Sequence, residues 1–329
     1  MREGPVVVVG GSNADIGGKP DRMLIEGDSN PGRVRFSLGG VGHNIARNLG
    51  RLGMETVFLT ALGRDGTGDR IAAECAACGV DCSRALRLED CATPTYLFIA
   101  DHEGDMRLAV SDMAACDRMT PAYLAENLDA LNGAAAVVAD ANLPEESLLF
   151  LAERCSAPLF ADPVSVSKSG RLKRALPRLY ALKPNRLEAE LLSGVPVRSR
   201  EDLPGAAEKL LETGLRQVCV SLGAHGVFAA ERGYRELIPC FPAEVRNTTG
   251  AGDAFMAGLV WGFLKGKPLR EAARIASAAA AVAAESGETV SPEMSPAAVE
   301  RKMRECGPTA GSIGSGNAQD AMKQNEIKI

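Results

Sequence analysis

Short apolar runs alternate with longer helix-like stretches along most of the chain. The first run, Val6 to Val9, is continuous and β-branched, and Gly10-Gly11 ends it. Such runs are typical of strands buried on both faces of a parallel sheet. The alternation therefore predicts an α/β fold in three layers, with a mainly parallel, doubly wound sheet between helices. Predicted strands are 6–9, 56–60, 135–139, 159–162, 181–184 and 217–221, and predicted helices are 42–52, 68–78, 144–155, 186–192 and 204–213.

Two segments interrupt this alternation. Residues 16–38 are polar, contain Gly and Pro, and have weak β character, whereas residues 91–112 hold two apolar runs around a polar, Gly-containing turn. The second pattern predicts a β-hairpin. Together the segments are expected to form a small sheet outside the main one, a lid able to cover a ligand. Residues 1–307 are predicted to be a single domain, and residues 308–329, which lack an apolar period, a flexible tail.

Composition and charge disfavour several kinds of protein. The net charge is −5 and aromatic residues make up 4%, with no dense run of Lys and Arg. Nucleic-acid binders usually present a basic face or aromatic platforms, so a polynucleotide partner is not expected. The apolar run at residues 6–9 is too short for a signal peptide or a membrane helix. The sequence therefore predicts a cytoplasmic protein with no membrane partner.

A cysteine cluster offers one alternative function. Cys75, Cys78 and Cys82 are close in sequence, as metal or redox cysteines often are. A zinc site needs further ligands, however, and no histidine is near them in sequence. Because Cys75-Ala-Ala-Cys78 lies in an Ala-rich, helix-like stretch, packing as small apolar side chains is the favoured interpretation.

The clearest chemical signal is the run Asn247-Thr-Thr-Gly-Ala-Gly-Asp253. A glycine-containing turn leads into residues 253–265, which are apolar on most faces and predict a buried helix. The free amides at a helix amino end, approached closely through glycine, suit an anion. Asp253 has a simpler explanation, since Asp is favoured in a first helical turn. Phosphoryl transfer, however, requires an anion site together with a carboxylate that accepts a hydroxyl proton.

Two more polar turns precede helices or follow strands. Leu38-Gly-Gly-Val-Gly-His-Asn44 leads into a helix and places Asn44 in its first turn, and Gly11-Ser-Asn13-Ala-Asp15 follows the first predicted strand. Asn13 and Asp15 suit vicinal sugar hydroxyls, because ligands bind at the carboxyl ends of such strands. A capped turn and an Asx turn explain these runs equally well on local grounds. The chain has neither a P-loop nor a Gly-x-Gly-x-x-Gly dinucleotide fingerprint.

In this order and spacing, the three features resemble the PfkB-type (ribokinase-like) carbohydrate kinases. Gly39-Gly40 with Asn44 resembles the N-terminal signature of that family, and residues 247–255 resemble its C-terminal signature, over about residues 5–305 of the chain. The resemblance implies a ribokinase-like fold with a β lid, ATP and Mg²⁺ as cofactors, and a homodimer formed through the lid. Asn247 stands where many ribokinases carry Asp, which leaves a K⁺ site open.

The resemblance also implies roles for individual residues. Asp253 corresponds to the catalytic base, and Gly250, Ala251 and Gly252 to the anion hole. From the residues alone, a solvated helix residue is the favoured interpretation of Glu188, and Tyr96 is favoured as a residue that packs between lids. The remaining implied sites are Asn13, Asp15, Gly40, Val41, Asn44, Asn142 and Lys168 for substrate, Asn185, Ser221, Gly223, Gly226, Thr249 and Ser277 for ATP, Asn185 and Glu188 for Mg²⁺ through water, and Thr93, Tyr96 and Asp112 for the substrate's base.

Finer matches are similar to the branch of this family that acts on pseudouridine. They lie at residues 28–32, 39–46, 138–142, 162–168 and 182–190. The predicted reaction is therefore ATP-dependent phosphorylation of the 5′-hydroxyl of pseudouridine. Two alternatives stay open. The chain could be a kinase of another nucleoside or sugar, such as ribose, adenosine or inosine, or a ligand-binding regulator on the same fold. The intact base and anion hole disfavour a regulator.

Overall fold

The computed structural model describes residues 3–305 of the chain. The strands are β1 (Val6–Val9), β2 (Asn13–Pro20), β3 (Gly32–Gly39), β4 (Thr56–Leu59), β5 (Ala61–Gly63), β6 (Val80–Asp81), β7 (Leu86–Leu88), β8 (Thr95–Ala100), β9 (Met106–Asp112), β10 (Ala136–Asp140), β11 (Leu159–Asp162), β12 (Ala181–Leu182), β13 (Gln217–Ser221), β14 (Val227–Glu231) and β15 (Tyr234–Ile238). The α-helices are α1 (Val41–Arg51), α2 (Gly66–Ala77), α3 (Pro121–Glu126), α4 (Leu128–Gly133), α5 (Glu145–Arg154), α6 (Val166–Ser169), α7 (Arg186–Ser193), α8 (Leu203–Glu212), α9 (Ala251–Leu264), α10 (Leu269–Ala284) and α11 (Pro296–Glu305). The predicted tail lies outside the described residues.

The main sheet has the strand order β15-β14-β13-β12-β11-β10-β1-β4-β6. Every pairing from β6 to β13 is parallel, and β14 and β15 continue the sheet antiparallel. The predicted mainly parallel sheet is thus confirmed, and each predicted strand is present. Strand β12 ends two residues before the prediction, next to Pro184, which has no amide hydrogen for a ladder.

Both faces of the sheet are covered, as the continuous apolar strands predicted. Val7 and Val9 belong to the apolar cluster on one face, and Val6 and Val8 to the cluster on the other. Helices α1, α9 and α10 contribute to the second cluster. Helices α9 and α10 approach closely because Gly258 has no side chain: a Cβ there would be 2.8 Å from the Ala276 Cα. The predicted buried helix is α9, which begins two residues earlier than expected.

A second sheet has the order β3-β2-β8-β9 and contains both segments that interrupted the alternation. We call it the small sheet. Strands β8 and β9 pair antiparallel, which confirms the predicted hairpin. Strand β2 begins at Asn13 rather than at residue 16, because Asn13 already pairs with Gly39.

Register divides the small sheet into two chemically different faces. Ile16, Phe36, Leu97 and Val110 form one row across its four strands, and Asp15 starts the next row, on the opposite face, with Tyr96. Since adjacent residues in a strand point to opposite faces, Asp112, which pairs with Thr95, lies on the face away from Tyr96. Tyr96 and Asp112, two of the three predicted base contacts, therefore cannot act from the same face. Among residues 3–305, no helix is long and apolar enough to cross a bilayer.

Candidate active site

Charged side chains gather at the carboxyl edge of the main sheet. Strands β10 and β11 end in Asp140 and Asp162, which are in register with each other, and Lys183 directly follows β12. Ligands bind at this edge in parallel α/β sheets. None of these three residues has a role predicted from sequence, although an aspartate at the end of each of two neighbouring strands is a signal that could have indicated one.

The amino end of α9 meets this edge. Gly250 caps the helix with φ 84°, and a Cβ there would lie 2.1 Å from the Thr289 carbonyl oxygen, so only glycine fits. The Ala251 amide donates to the Thr248 carbonyl at 3.3 Å. The Gly252 and Asp253 amides lie in the first turn, where no helical carbonyl stands four residues back. Of the predicted anion hole, Gly252 is therefore better placed than Ala251 to meet an anion.

Asp253 is buried in the first turn of α9. Its Oδ2 accepts a 2.8 Å hydrogen bond from Asn44 Nδ2, and its residue exposure is 9%. Burial is the main cause that raises the pKa of Asp253 to about 7, and the charge of Asp162 adds to it, whereas the Asn44 hydrogen bond and the charge of Lys183 oppose it. A carboxyl with this pKa can accept a proton near neutral pH. The structure thus brings Asp253 and Asn44 together across 209 residues of sequence.

Lys183 is buried beside Asp253. Its Nζ lies 3.1 Å from Asp162 Oδ2, and a Cβ built on Gly252 would be 3.0 Å from the same nitrogen. Burial alone would lower the pKa of Lys183, but the charges of Asp162 and Asp253 outweigh it, so the pKa is raised and the ammonium stays charged. A full positive charge is thus held against the amino end of α9.

Asp140 fixes the turn that leads into α1. Its Oδ2 accepts hydrogen bonds from the amides of Gly11 at 2.9 Å and Gly42 at 2.8 Å, and its Oδ1 accepts one from Asn142 at 2.8 Å. The carboxylate thereby joins the end of β1, the start of α1 and the end of β10. Asn44, two residues into α1 from Gly42, is positioned by this contact.

The predicted sugar-binding residues lie where β2 meets α1. Asn13 Nδ2 donates to Asp15 Oδ1 at 2.7 Å, and burial raises the pKa of Asp15. Gly40 adopts φ 100°, and a Cβ there would come within 2.6 Å of the Gly11 carbonyl oxygen. Val41 begins α1. The polar turns 11–15 and 38–44, distant in sequence, are therefore packed together.

A second polar group lies beyond Asp140. Lys168 Nζ donates to Asn142 Oδ1 at 2.6 Å, so the two predicted substrate residues contact each other. Arg171, not singled out by sequence, donates from Nη1 to the carbonyls of Ala141, Asn142 and Leu143 and fixes this loop.

Asn185 and Glu188 form a reciprocal cap on α7. Asn185 Oδ1 accepts from the Glu188 amide at 3.0 Å, and Glu188 Oε2 accepts from the Asn185 amide at 2.8 Å. Glu188 is 3% exposed, so its interpretation as a solvated helix residue is wrong. Burial is the main cause that raises its pKa, and the charge of Asp162 adds to it.

The donor set fits Mg²⁺ held through water. Within residues 3–305, no three His, Cys, Asp or Glu side chains are arranged to share a metal ion. Mg²⁺ in kinases is usually held by one or two carboxylates together with waters and phosphates, rather than by a protein cage. Glu188, with one oxygen used by the cap, suits that indirect role.

Residues predicted to bind the nucleotide lie at the amino end of α7, at the end of β13 and in the turn after it, just before α9, and on α10. Ser221 bridges to Asn185, which links this region to the cap on α7. Gly226 has φ 91°, and a Cβ there would collide with the Ile238 carbonyl at 2.1 Å. The Ser277 hydroxyl on α10 is buried without a hydrogen-bond partner. The remaining two shape turns: Gly223 opens the turn after β13, and the Thr249 amide donates to Asn247 Oδ1 at 2.9 Å.

Thr93 and Tyr96, two of the residues predicted to contact the base, have different hydrogen-bond partners and surroundings. Thr93 is buried, and its hydroxyl donates to Asp65 Oδ1 at 2.8 Å. Tyr96 packs against Phe98 with ring centroids 5.9 Å apart, and its hydroxyl donates to Met106 Sδ. Both contacts lie within one chain, so the packing of Tyr96 between lids stays a prediction.

Residues 5–296 match the description "pfkB family carbohydrate kinase". The chain belongs to the pfkB family. A pseudouridine kinase of Escherichia coli K12 is 36% identical, over 88% of this chain and 93% of that protein. A guanosine-inosine kinase of Exiguobacterium acetylicum is 28% identical, over 88% of this chain and 97% of that protein. The structure of Arabidopsis thaliana ribokinase complexed with ribose and ATP superposes with a TM-score of 0.83 at 26% identity, covering 92% of this chain and 99% of that one. This pfkB-family chain accordingly has the ribokinase-like fold.

Proposed function

We propose that this pfkB-family chain transfers the γ-phosphoryl group of ATP to the 5′-hydroxyl of pseudouridine. One observation carries the proposal: a buried carboxyl, Asp253, with a pKa of about 7, lies in the first turn of a glycine-capped helix. General-base removal of a hydroxyl proton and stabilisation of a transferring phosphoryl group need these two features side by side.

In the proposed reaction, Asp253 accepts the proton of the attacking hydroxyl as that oxygen bonds to the γ-phosphorus, while the bond from the γ-phosphorus to the β,γ-bridging oxygen breaks and ADP leaves with that electron pair. Asn44 holds one carboxylate oxygen at 2.8 Å and so orients the other toward the substrate. The amides at the amino end of α9 meet the negative charge of the transferring group. Mg²⁺, when bound, would neutralise charge on the phosphates, and Glu188 and Asn185 would hold its waters. Asn13, Asp15 and the Gly40 turn would hold the ribose.

The relatives support a nucleoside substrate, and the 36% identity to a pseudouridine kinase favours pseudouridine among nucleosides. The guanosine-inosine kinase keeps a purine nucleoside as the second candidate. Lys168 and Asn142 contact each other at the carboxyl edge of the main sheet. Both lie in sequence segments that resemble those of the pseudouridine branch. A side-chain pair of this kind can read the hydrogen-bonding edge of a base.

A substrate panel tests the assignment. Purified protein with Mg·ATP is supplied with pseudouridine, uridine, inosine, guanosine, adenosine or ribose, and ADP release is measured. We expect kcat/KM for pseudouridine to exceed that for uridine by ~10²-fold or more. A higher value for inosine or ribose would overturn the substrate while leaving the kinase assignment intact. Binding of every compound without ADP release would support a regulator instead.

We also propose that two copies associate through the small sheet. The row Phe36, Leu97 and Val110 is 42%, 41% and 57% exposed, which leaves a continuous apolar face on one side of four strands. Contiguous exposed apolar surface of this kind marks an association site. Analytical ultracentrifugation should find a dimer for the native protein and a monomer for Val110→Glu. A native monomer at micromolar concentration would contradict the proposal.

A further inference from the structure

One buried cation stands among the carboxylates of the site, and the proposed chemistry has given it no role. Four charged or polar groups, from four different parts of the fold, act on Asp253. These groups are Asn44 on α1, Asp140 at the end of β10, Asp162 at the end of β11 and Lys183 after β12; Glu188 on α7 adds its charge to the Asp162–Lys183 pair. Lys183 is thus the cation among the groups that act on Asp253.

The free-energy cost of burying the Lys183–Asp162 ion pair indicates that the pair has a function. Lys183 and Asp162 have side-chain exposures of 9% and 5%, so both charges have lost most of their water. A buried ion pair is often no more stabilising than apolar side chains of the same size. The pair also lies at the carboxyl edge of the main sheet, where the Lys183 charge acts on any group that meets the amino end of α9.

The position of the ammonium is fixed from two sides. Asp162 holds Nζ at 3.1 Å, and Gly252 leaves the space into which Nζ fits, since a Cβ there would be 3.0 Å away. Asp162 is held in turn, because its Oδ1 accepts the Val164 amide at 2.8 Å. Val164 has φ 67°, the one non-glycine residue in the left-handed region within residues 3–305. Strained backbone of this kind often marks a functional site.

We propose that Lys183 is a positioning residue of the phosphoryl-transfer site: pinned by Asp162 against Gly252, its ammonium adds a full positive charge to the anion site and stabilises the Asp253 carboxylate. This inference rests on the proposed function, since it needs Asp253 to be the base. Asp162, by contrast, destabilises the Asp253 carboxylate. We call Lys183 and Asp162 the matched pair, because their charges have opposite effects on Asp253.

The pH dependence of kcat/KM tests the matched pair, because removing each charge should move the acid limb of the profile in the opposite direction. Lys183 lowers the pKa of Asp253 and Asp162 raises it. Lys183→Met should therefore move the acid limb to higher pH, and Asp162→Asn should move it to lower pH, each by about one pH unit. Lys183→Arg keeps the charge and should leave the limb in place. If all three variants lower kcat with an unmoved limb, the pair is only structural and the inference fails.

Lys183→Met leaves Asp162 buried without its partner and is the variant at risk of not folding. The double variant Lys183→Met/Asp162→Asn removes both charges and keeps the volume, so it answers the same question. Its acid limb should return to within about half a pH unit of the native position, because opposite charges 3.1 Å apart largely offset each other's effect on Asp253 and are removed together. A limb displaced as far as in one single variant would contradict the matched pair.

A binding measurement separates the charge from catalysis. The affinities of ATP and ADP are measured by calorimetry without metal ion, for the native protein and for Lys183→Met/Asp162→Asn. If Nζ stands near the γ-phosphoryl group, the variant should weaken ATP ~10-fold more than ADP. Equal weakening of the two nucleotides would overturn the anion-site role. If Asp253→Asn keeps full activity, the proposed function itself fails, which is a different outcome from either result above.

Discussion

Two buried aspartates stand at the amino ends of two helices, and they are engaged very differently. Asp140, at α1, accepts three backbone amides, from Gly11, Gly42 and Asn142. Asp253, at α9, accepts one side-chain amide, from Asn44. A carboxylate whose lone pairs are taken by the backbone fixes the chain around it. One that keeps an oxygen available can exchange a proton with a substrate. Under the proposed function, similar glycine turns thus serve structure at α1 and chemistry at α9.

Burial raises the pKa of both carboxyls. The pKa of Asp140 is raised to about 6, against the lowering effect of its amide donors. For Asp253 burial and the charges of Asp162 and Asp140 raise the pKa to about 7, and one hydrogen bond and Lys183 oppose them. The two carboxyls therefore differ chiefly in their partners, since backbone amides hold both oxygens of Asp140 and one side-chain amide holds Asp253. Four measurements test whether Asp140 and Asp253 differ in this way.

Substitution of the chemical aspartate should have the largest effect. Asp253→Asn is expected to lower kcat ~10²–10⁴-fold with little change in KM, because it removes the proton acceptor and keeps the shape. Steady-state kinetics with pseudouridine and ATP measure both constants. An unchanged kcat would rule out Asp253 as the base.

Substitution of the structural aspartate should act on stability first. In Asp140→Asn the amide group offers a single acceptor oxygen, so at least one buried backbone amide loses its partner, at a cost of about 2–4 kcal/mol. Denaturant unfolding gives the free energy of unfolding directly. If Asp140→Asn is as stable as the native protein, Asp140 does not have the fixing role given to it here.

Asp253→Asn should also stabilise the protein, in a pH-dependent way. The folded-state pKa of Asp253 is raised above its unfolded value, so the native protein holds this proton more tightly and loses stability as the pH rises from about 4 to about 7. Asparagine cannot ionise and escapes this loss, for a gain on the order of 4 kcal/mol above pH 7, since each of about three pKa units is worth about 1.4 kcal/mol. The difference in Tm between variant and native protein should grow from pH 5 to pH 8. A constant difference would contradict the raised pKa.

The smallest expected effect concerns the hydrogen bond that orients the base. Asn44 lowers the pKa of Asp253, so Asn44→Ala should move the acid limb of the kcat/KM profile upward by about half a pH unit. Asn48→Ala is the matched control, since Asn48 lies one turn further along α1 and donates to the Asn44 carbonyl at 2.9 Å instead. The same displacement in both variants would assign the effect to α1 packing.

Local pattern was enough for most of the fold. The β-branched run 6–9 predicted a strand buried on both faces, and the alternation predicted the parallel sheet, because strand burial and helix periodicity are written into neighbouring residues. The hairpin at 95–112 followed from two apolar runs and a polar turn. The antiparallel extension by β14 and β15 was missed, since pairing partners are not encoded in a single strand.

For the site, the sequence by itself determined the glycine turns, Asp253 at a helix start, and the family signatures at residues 39–44 and 247–255. Only the tertiary structure brought Asn44 to Asp253, set Lys183 against Gly252 and separated Tyr96 from Asp112. The reason is physical: the pKa of Asp253 and the charge around it depend on burial and on groups 70 to 209 residues away. The order of those groups along the chain does not reveal the distances between them, because those distances are set only when the sheet folds.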